Sequence, residues 1–170
     1  MGPAGGMESL YRELILDHYR HPHAKGLARV FDGESFQVNP MCGDQVRLRV
    51  VLTPASRPGG DVGTEVTWEG SGCSISQAST SVMSDLVRGL DLARVAEVSE
   101  VFSRLMHSRG RGLDDDDDED ALGDAIAFEG VAKYPARVKC ALLGWMALKD
   151  ALAKAVAGDT SPAATPKGFA

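Results

Sequence analysis

The chain is short of basic residues, of cysteine and of long apolar runs, and each shortage excludes a class of function. Lys and Arg number 18 against 24 Asp and Glu, a formal net charge of -6. Neutralising phosphates needs clustered cations, so a general nucleic-acid binder is excluded. The longest apolar stretch, residues 140–148, contains Gly144 and falls well short of the roughly 20 residues that span a bilayer, so no membrane partner is expected. Residues 1–6 are small and uncharged, with neither a basic nor an apolar leader region. No secretory signal is expected, and Met7 is a candidate natural start. Three cysteines make an odd count with no paired C-x-x-C motif. Without an export signal, that count disfavours a disulfide framework, favours thiols used for metal or redox chemistry, and places the protein in the cytoplasm.

What is present fits one ordinary domain: 170 residues, 44% hydrophobic and 25% charged. Leu10, Tyr11, Leu14, Ile15, His18 and Tyr19 recur at helical steps, which predicts a helix over residues 8–20 closed by Pro22. Phe36 and Val38 alternate with polar neighbours, as do Val46, Leu48, Val50 and Leu52, the period of half-buried strands. Residues 39–44 read as a turn between them, 54–63 as a loop, and 64–69 as a third strand with Val66 and Trp68. A further helix begins at Cys73, another runs from a cap at Asp91 to Met106, and the last starts at Pro135 and runs to about Ala157. Strands early and helices late predict an α+β fold, a small three-stranded antiparallel sheet packed against about five helices. Residues 1–7 are expected to be a disordered leader, 8–157 a single domain with an acidic insertion around 109–130, and 158–170 a disordered tail.

The chemistry rests on the cysteines. Cys42 and Asp44 flank a glycine in a turn, Cys73 opens a helix, and Cys140 lies in the first turns of another. Three thiolates and a carboxylate suffice for a closed tetrahedral zinc site. Spacing alone does not make them converge, and by itself favours three ordinary thiols.

Three blocks of sequence alter that balance. Asn39-Pro40-Met41-Cys42-Gly43-Asp44, then Gly70-Ser71-Gly72-Cys73-Ser74-Ile75-Ser76-Gln77-Ala78-Ser79, then Pro135-Ala136-Arg137-Val138-Lys139-Cys140-Ala141 followed by Trp145 resemble the signature blocks of the U-type iron-sulfur assembly family. Asp17-His18-Tyr19 and Pro22 resemble its opening helix. The residue before the third cysteine is a histidine in the family's scaffold branch and is Lys139 here. A charged lysine is no ligand, and the long segment between Cys73 and Cys140 matches the zinc-dependent sulfurtransferase branch, SufU. The resemblance implies a SufE/NifU-like fold and zinc held by Cys42, Asp44, Cys73 and Cys140. It also implies a SufS-type pyridoxal-phosphate cysteine desulfurase as sulfur donor, and downstream iron-sulfur assembly proteins as partners. A histidine of the desulfurase is expected to exchange onto zinc and free Cys42, the thiol on the least constrained element and hence the sulfur acceptor. The alternative is a scaffold whose cysteines hold an iron-sulfur cluster.

Four ligand charges of one sign against two on zinc call for a nearby cation. Arg137, one helical turn before Cys140, is the candidate to stabilise the freed or persulfidated thiolate. Blander readings stand beside these: Cys140 as a core thiol, Asp44 as a turn cap, Arg137 as an exposed helix residue. His18, His21 and His23 are expected in surface or packing roles, residues 114–120 as a solvated acidic loop, and Trp68 and Trp145 as core anchors.

Overall fold

The computed structural model describes residues 3–54 and 63–164. Its elements in chain order are α1 (Pro3–Arg20), β1 (Gly33–Asn39), β2 (Asp44–Thr53), β3 (Gly63–Ser71), α2 (Ser74–Leu86), α3 (Leu92–His107), α4 (Asp116–Leu122), a 3-10 helix (Gly123–Lys133) and α5 (Pro135–Val156). The strands form one antiparallel sheet in the order β1-β2-β3, the α+β architecture expected. Residues 55–62, read above as loop, lie outside the described residues, as do 1–2 of the leader and 165–170 of the tail.

Register decides which face each strand residue takes. Val46, Leu48 and Val50 of β2 are buried at alternate positions, and Leu48 and Val50 pair with Trp68 and Val66 of β3. Asp44 falls on the same parity and is buried with them, which turns its carboxylate toward the helix-covered face. On β1 the residues opposite that face are Gly33, Ser35, Gln37 and Asn39. Phe36 and Val38, the apolar pair of the sequence pattern, therefore lie on the other face, where the Arg47 guanidinium covers the Phe36 ring at 4.7 Å. The cause is the close approach of α5: a Cβ at Gly33 would stand 2.1 Å from the carbonyl oxygen of Ala151. Only small or slim residues fit beneath that helix.

Helix α2 is buried from Ser76 to Ser84 and meets α5 through small groups. Ser79 donates to the carbonyl of Ala141 at 2.7 Å, and a Cβ at Gly144 would stand 2.3 Å from Thr80 Oγ1. Trp145 stacks on Phe102 of α3 at 4.4 Å between centroids, and Trp68 is fully buried, so both tryptophans anchor the core.

Three expectations are corrected. The first helix begins at Pro3 rather than residue 8; proline suits a first helical turn, where no partner exists for its missing N–H. The acidic segment 114–120 is not wholly loop, since α4 starts at Asp116. Asp115 caps it by accepting from the Asp117 N–H at 2.8 Å, and carboxylates are favourable at a helix N-terminus. The tail is partly docked: Ala163 N–H donates to Glu34 Oε1 at 2.8 Å, and Arg47 donates to the Ala163 carbonyl at 3.2 Å.

Candidate metal centre

Asn39 and Asp44 pair at the end of the β1–β2 hairpin and close a four-residue loop that carries Cys42. The loop is fixed by Asn39, whose side-chain oxygen accepts the Met41 N–H at 3.1 Å and whose carbonyl accepts the Gly43 N–H at 2.8 Å. Gly43 has φ +74°, a conformation that glycine takes without a Cβ penalty. Cys42 is thereby presented exposed at the tip.

Cys73 occupies the N-cap of α2, and its N–H donates to Asp44 Oδ1 at 2.8 Å. Gly72 makes this possible: at φ +138° it admits a carboxylate where a Cβ would stand 2.1 Å from Asp44 Oδ1. Cys140 is buried on α5, its sulfur 3.9 Å from the side-chain nitrogen of Asn39 and 3.5 Å from the carbonyl of Ala136.

These elements bring Cys42, Asp44 and Cys140 together, with Cys73 joined to them through Asp44. The Cys42 sulfur lies 3.1 Å from Asp44 Oδ2 and 3.6 Å from the Cys140 sulfur; the Cys73 sulfur lies 3.5 Å from Asp44 Oδ2. One donor atom from each of Cys42, Asp44 and Cys140 falls within 4.8 Å of the others. Tetrahedral zinc with ordinary bond lengths would set neighbouring sulfurs about 3.8 Å apart and sulfur and oxygen about 3.5 Å apart. Cys42, Asp44 and Cys140 fit that ion in kind and in spacing, while Cys73 fits in kind and reaches the group through Asp44.

The electrostatics agree. Burial raises the Asp44 pKa, but hydrogen bonds from Cys140, Cys42 and Cys73 outweigh it and hold the carboxyl below its usual range. Burial, then hydrogen bonding with Asp44, Cys42 and Cys73, pushes the Cys140 thiol far up. Burial thus holds the Cys140 thiol protonated in the absence of a cation, and a divalent cation bound here would displace that proton.

Arg137 sits on the exposed first turn of α5, with its guanidinium 4.9 Å from the Tyr134 ring centroid rather than against a thiol. Lys139 is exposed. Asn39 and Gly72 lie within the motif blocks without a task that composition or periodicity marks; a glycine immediately before Cys73 is the one signal for Gly72.

The chain is similar to several known proteins. The "NifU-like N terminal domain" family matches residues 10–141. The zinc-dependent sulfurtransferase SufU of Bacillus subtilis is 40% identical over 90% of this chain and 96% of its own. The iron-sulfur cluster assembly scaffold protein IscU of Streptococcus pyogenes is 34% identical over 86% of this chain and 84% of its own. Among solved structures, a candidate iron-sulfur cluster assembly scaffold protein for the SUF system from Fervidobacterium islandicum superposes with a TM-score of 0.70 at 33% identity, covering 82% of this chain and 94% of that one. With the three cysteine blocks converging on one carboxylate and the match running through all of them, the chain belongs to the NifU-like N-terminal domain family.

Proposed function

We propose that the protein is a zinc-dependent sulfur relay for iron-sulfur cluster assembly, accepting sulfur on Cys42 from a SufS-type pyridoxal-phosphate cysteine desulfurase. The observation that carries this reading is the split character of the centre. Cys42 is exposed at a hairpin tip, while its sulfur touches buried Asp44 and buried Cys140. Cys42, Asp44, Cys73 and Cys140 would hold the zinc. When bound, the ion supplies thiolate at neutral pH, where a free cysteine with pKa near 8.5 is only a few per cent ionised.

The transfer is balanced without a redox partner. The Cys42 thiolate attacks the terminal sulfur of the desulfurase persulfide; a Cys42 S–S bond forms, the S–S bond on the desulfurase breaks, and its cysteine leaves as thiolate. Asp44 and Cys140 hold the attacking sulfur in place beforehand. Arg137 is the proposed cation for the incoming or product persulfide, reached by swinging its exposed side chain off Tyr134. The absence of any helix long and apolar enough to cross a membrane among the described residues is compatible with action in the cytoplasm.

The second reading, a scaffold that holds a cluster on the same cysteines, is favoured by the names of two of the relatives above. Lys139 weighs against it by standing where a histidine donor is expected. The deciding experiment incubates the protein with desulfurase and cysteine and maps added sulfur by mass spectrometry. Sulfur on Cys42, with stimulated alanine production that Cys42→Ala loses, is expected. Sulfur on Cys73 or Cys140 with Cys42 unmodified overturns the assignment, and a brown protein isolated without oxygen supports the scaffold.

A further inference from the structure

A second cluster of donors lies against α2, among residues with no part in the thiol centre. His18, on the last turn of α1, is buried, with Nδ1 2.8 Å from Ser81 Oγ. The chain then turns at Pro22, and His23 is pinned at both ends of its peptide unit. Its N–H donates to the same Ser81 Oγ at 2.8 Å. Its carbonyl accepts from Trp68 Nε1 at 2.8 Å. The next residue, Ala24, stands at φ +58°, a left-handed conformation that costs a residue with a Cβ about 1–2 kcal/mol. That cost is sustained where Ala24 also accepts the Trp68 N–H at 3.1 Å. The backbone is thus held in an unfavourable conformation that fixes where the His23 ring can go.

The ring goes to His18 and Asp85. The two imidazole centroids are 4.6 Å apart, tilted by 51°, and His23 Nδ1 bonds the Asp85 carboxylate. One donor atom from each of His18, His23 and Asp85 lies within 4.8 Å of the other two. Beside them is a cavity of about 160 Å³ lined by His18, Val82, Asp85, Leu86 and Asp124. It is large enough for an ion and small ligands, since a water takes about 30 Å³. Burial first, then the neighbouring His23, hold the His18 pKa below its usual value, against the opposing pull of Asp85, Asp124 and Asp17.

We propose that His18, His23 and Asp85 form a second metal centre that takes a divalent first-row transition ion through two imidazoles and a carboxylate, with Asp124 across the cavity as a further oxygen donor. Two imidazoles and a carboxylate suit the borderline ions Fe(II), Co(II), Ni(II) and Zn(II), whereas the thiol-rich set around Asp44 suits softer demand. Ser81 is the orienting partner: its hydroxyl holds one nitrogen of His18 and the backbone of His23 together, the kind of outer contact that sets the ring of a metal-binding histidine. This centre stands independently of the sulfur-relay reading.

The test uses the full chain with its thiol centre first filled with zinc and excess metal removed, then titrated with Co(II). One Co(II) per chain is expected, with visible ligand-field bands, no thiolate-to-cobalt charge transfer, and hyperfine-shifted imidazole proton resonances. His23→Ala, at a half-exposed position, and Asp85→Asn should each weaken Co(II) binding at least about tenfold while zinc content and the circular dichroism spectrum stay unchanged; Ser81→Ala should weaken it by about 10–100-fold. Wild-type protein that takes up no Co(II) beyond its zinc overturns the proposal. So does thiolate charge transfer on titration, or an affinity unchanged in both His23→Ala and Asp85→Asn, which would place the ion on the acidic surface of residues 114–120.

Discussion

Two carboxylates on the same hairpin are withdrawn from water almost completely, Glu34 at 0% and Asp44 at 1% exposure, and they are met in opposite ways. Glu34, on the outer face of the sheet, accepts from Arg47 at 2.7 Å and from Arg49 at 2.5 Å, with the Ala163 amide as a third donor. Asp44, on the inner face, is surrounded by three thiols and the Cys73 amide. Both carboxyls are held below their usual pKa against the opposing effect of burial. Around Glu34 the donors are permanent cations, so its charge is neutralised within the fold. Around Asp44 the side-chain donors are thiols, which bring no positive charge of their own. Burial and a depressed pKa are common to both; the chemistry of the surrounding donors separates a structural clamp from a candidate metal centre.

The largest expected difference between them is in metal retention. Asp44→Asn keeps the shape but removes the charge, and should lose zinc on dialysis against a chelator that wild type withstands, while Glu34→Gln should keep one zinc per chain. Structural zinc in small peptides is worth about 10–16 kcal/mol, so the melting temperature of wild type, but not of Asp44→Asn, should rise strongly on adding zinc. An Asp44→Asn protein that still carries a full zinc would erase the distinction.

Next in size is Gly72→Ala, which sets a Cβ against the Asp44 carboxylate in a conformation alanine disfavours. It should cost about 3 kcal/mol, a fall in melting temperature of about 6–12 °C, even in chelated protein. An unchanged melting temperature would show that Asp44 moves aside freely. Glu34→Gln should follow at about 2 kcal/mol, a value discounted from that of fully buried pairs because its arginines are partly exposed. Its effect should be equal with and without zinc, and a zinc-dependent effect would mean the two carboxylates communicate.

The smallest effect is one of pH. The folded Glu34 carboxyl titrates below its unfolded value, so its stabilisation is present above the unfolded pKa of about 4.3 and is lost as pH falls through the folded one. The melting-temperature gap between wild type and Glu34→Gln should therefore be constant from pH 7 to about 5 and shrink below that. A gap that widens in acid would reverse the sign.

Much of this contrast was legible in the residues, though unevenly. Cys42, Cys73 and Cys140 each sit on the element expected, because a turn, a helix start and a helix face are local properties that leave local marks, whereas Asp44, expected in the turn, opens strand β2. Their convergence was implied only by family blocks, since nothing in periodicity reports which ends of three elements meet. The Glu34 clamp was invisible: Phe36 and Val38 advertise a buried face, yet β1 offers its other side to α5 because Gly33 lets that helix backbone press in. Residues 114–120 read as a charge run, and only the cap at Asp115 and the pairing of Arg104 with Asp118 at 2.7 Å give them helical form. His18 and His23 were expected in surface or packing roles, because the contacts that join them come from Ser81 and Trp68, far along the chain.

Helix α2 begins at one cluster of donors and ends at the other. Cys73 caps its start, and Ser81 and Asp85 lie eight and twelve residues on, about 12 and 18 Å along its axis at 1.5 Å per residue. The helix is buried from Ser76 to Ser84, and that enclosure opposes bending within the span. Any axial slip that lengthens the Cys73 contacts carries Asp85 by the same amount, and a loosening at the hairpin end is felt as a change of alignment at the histidines. Docking of a large partner at Cys42 would therefore be readable, without any probe at the thiols, in the chemical shifts of two imidazole rings at the far end of the helix.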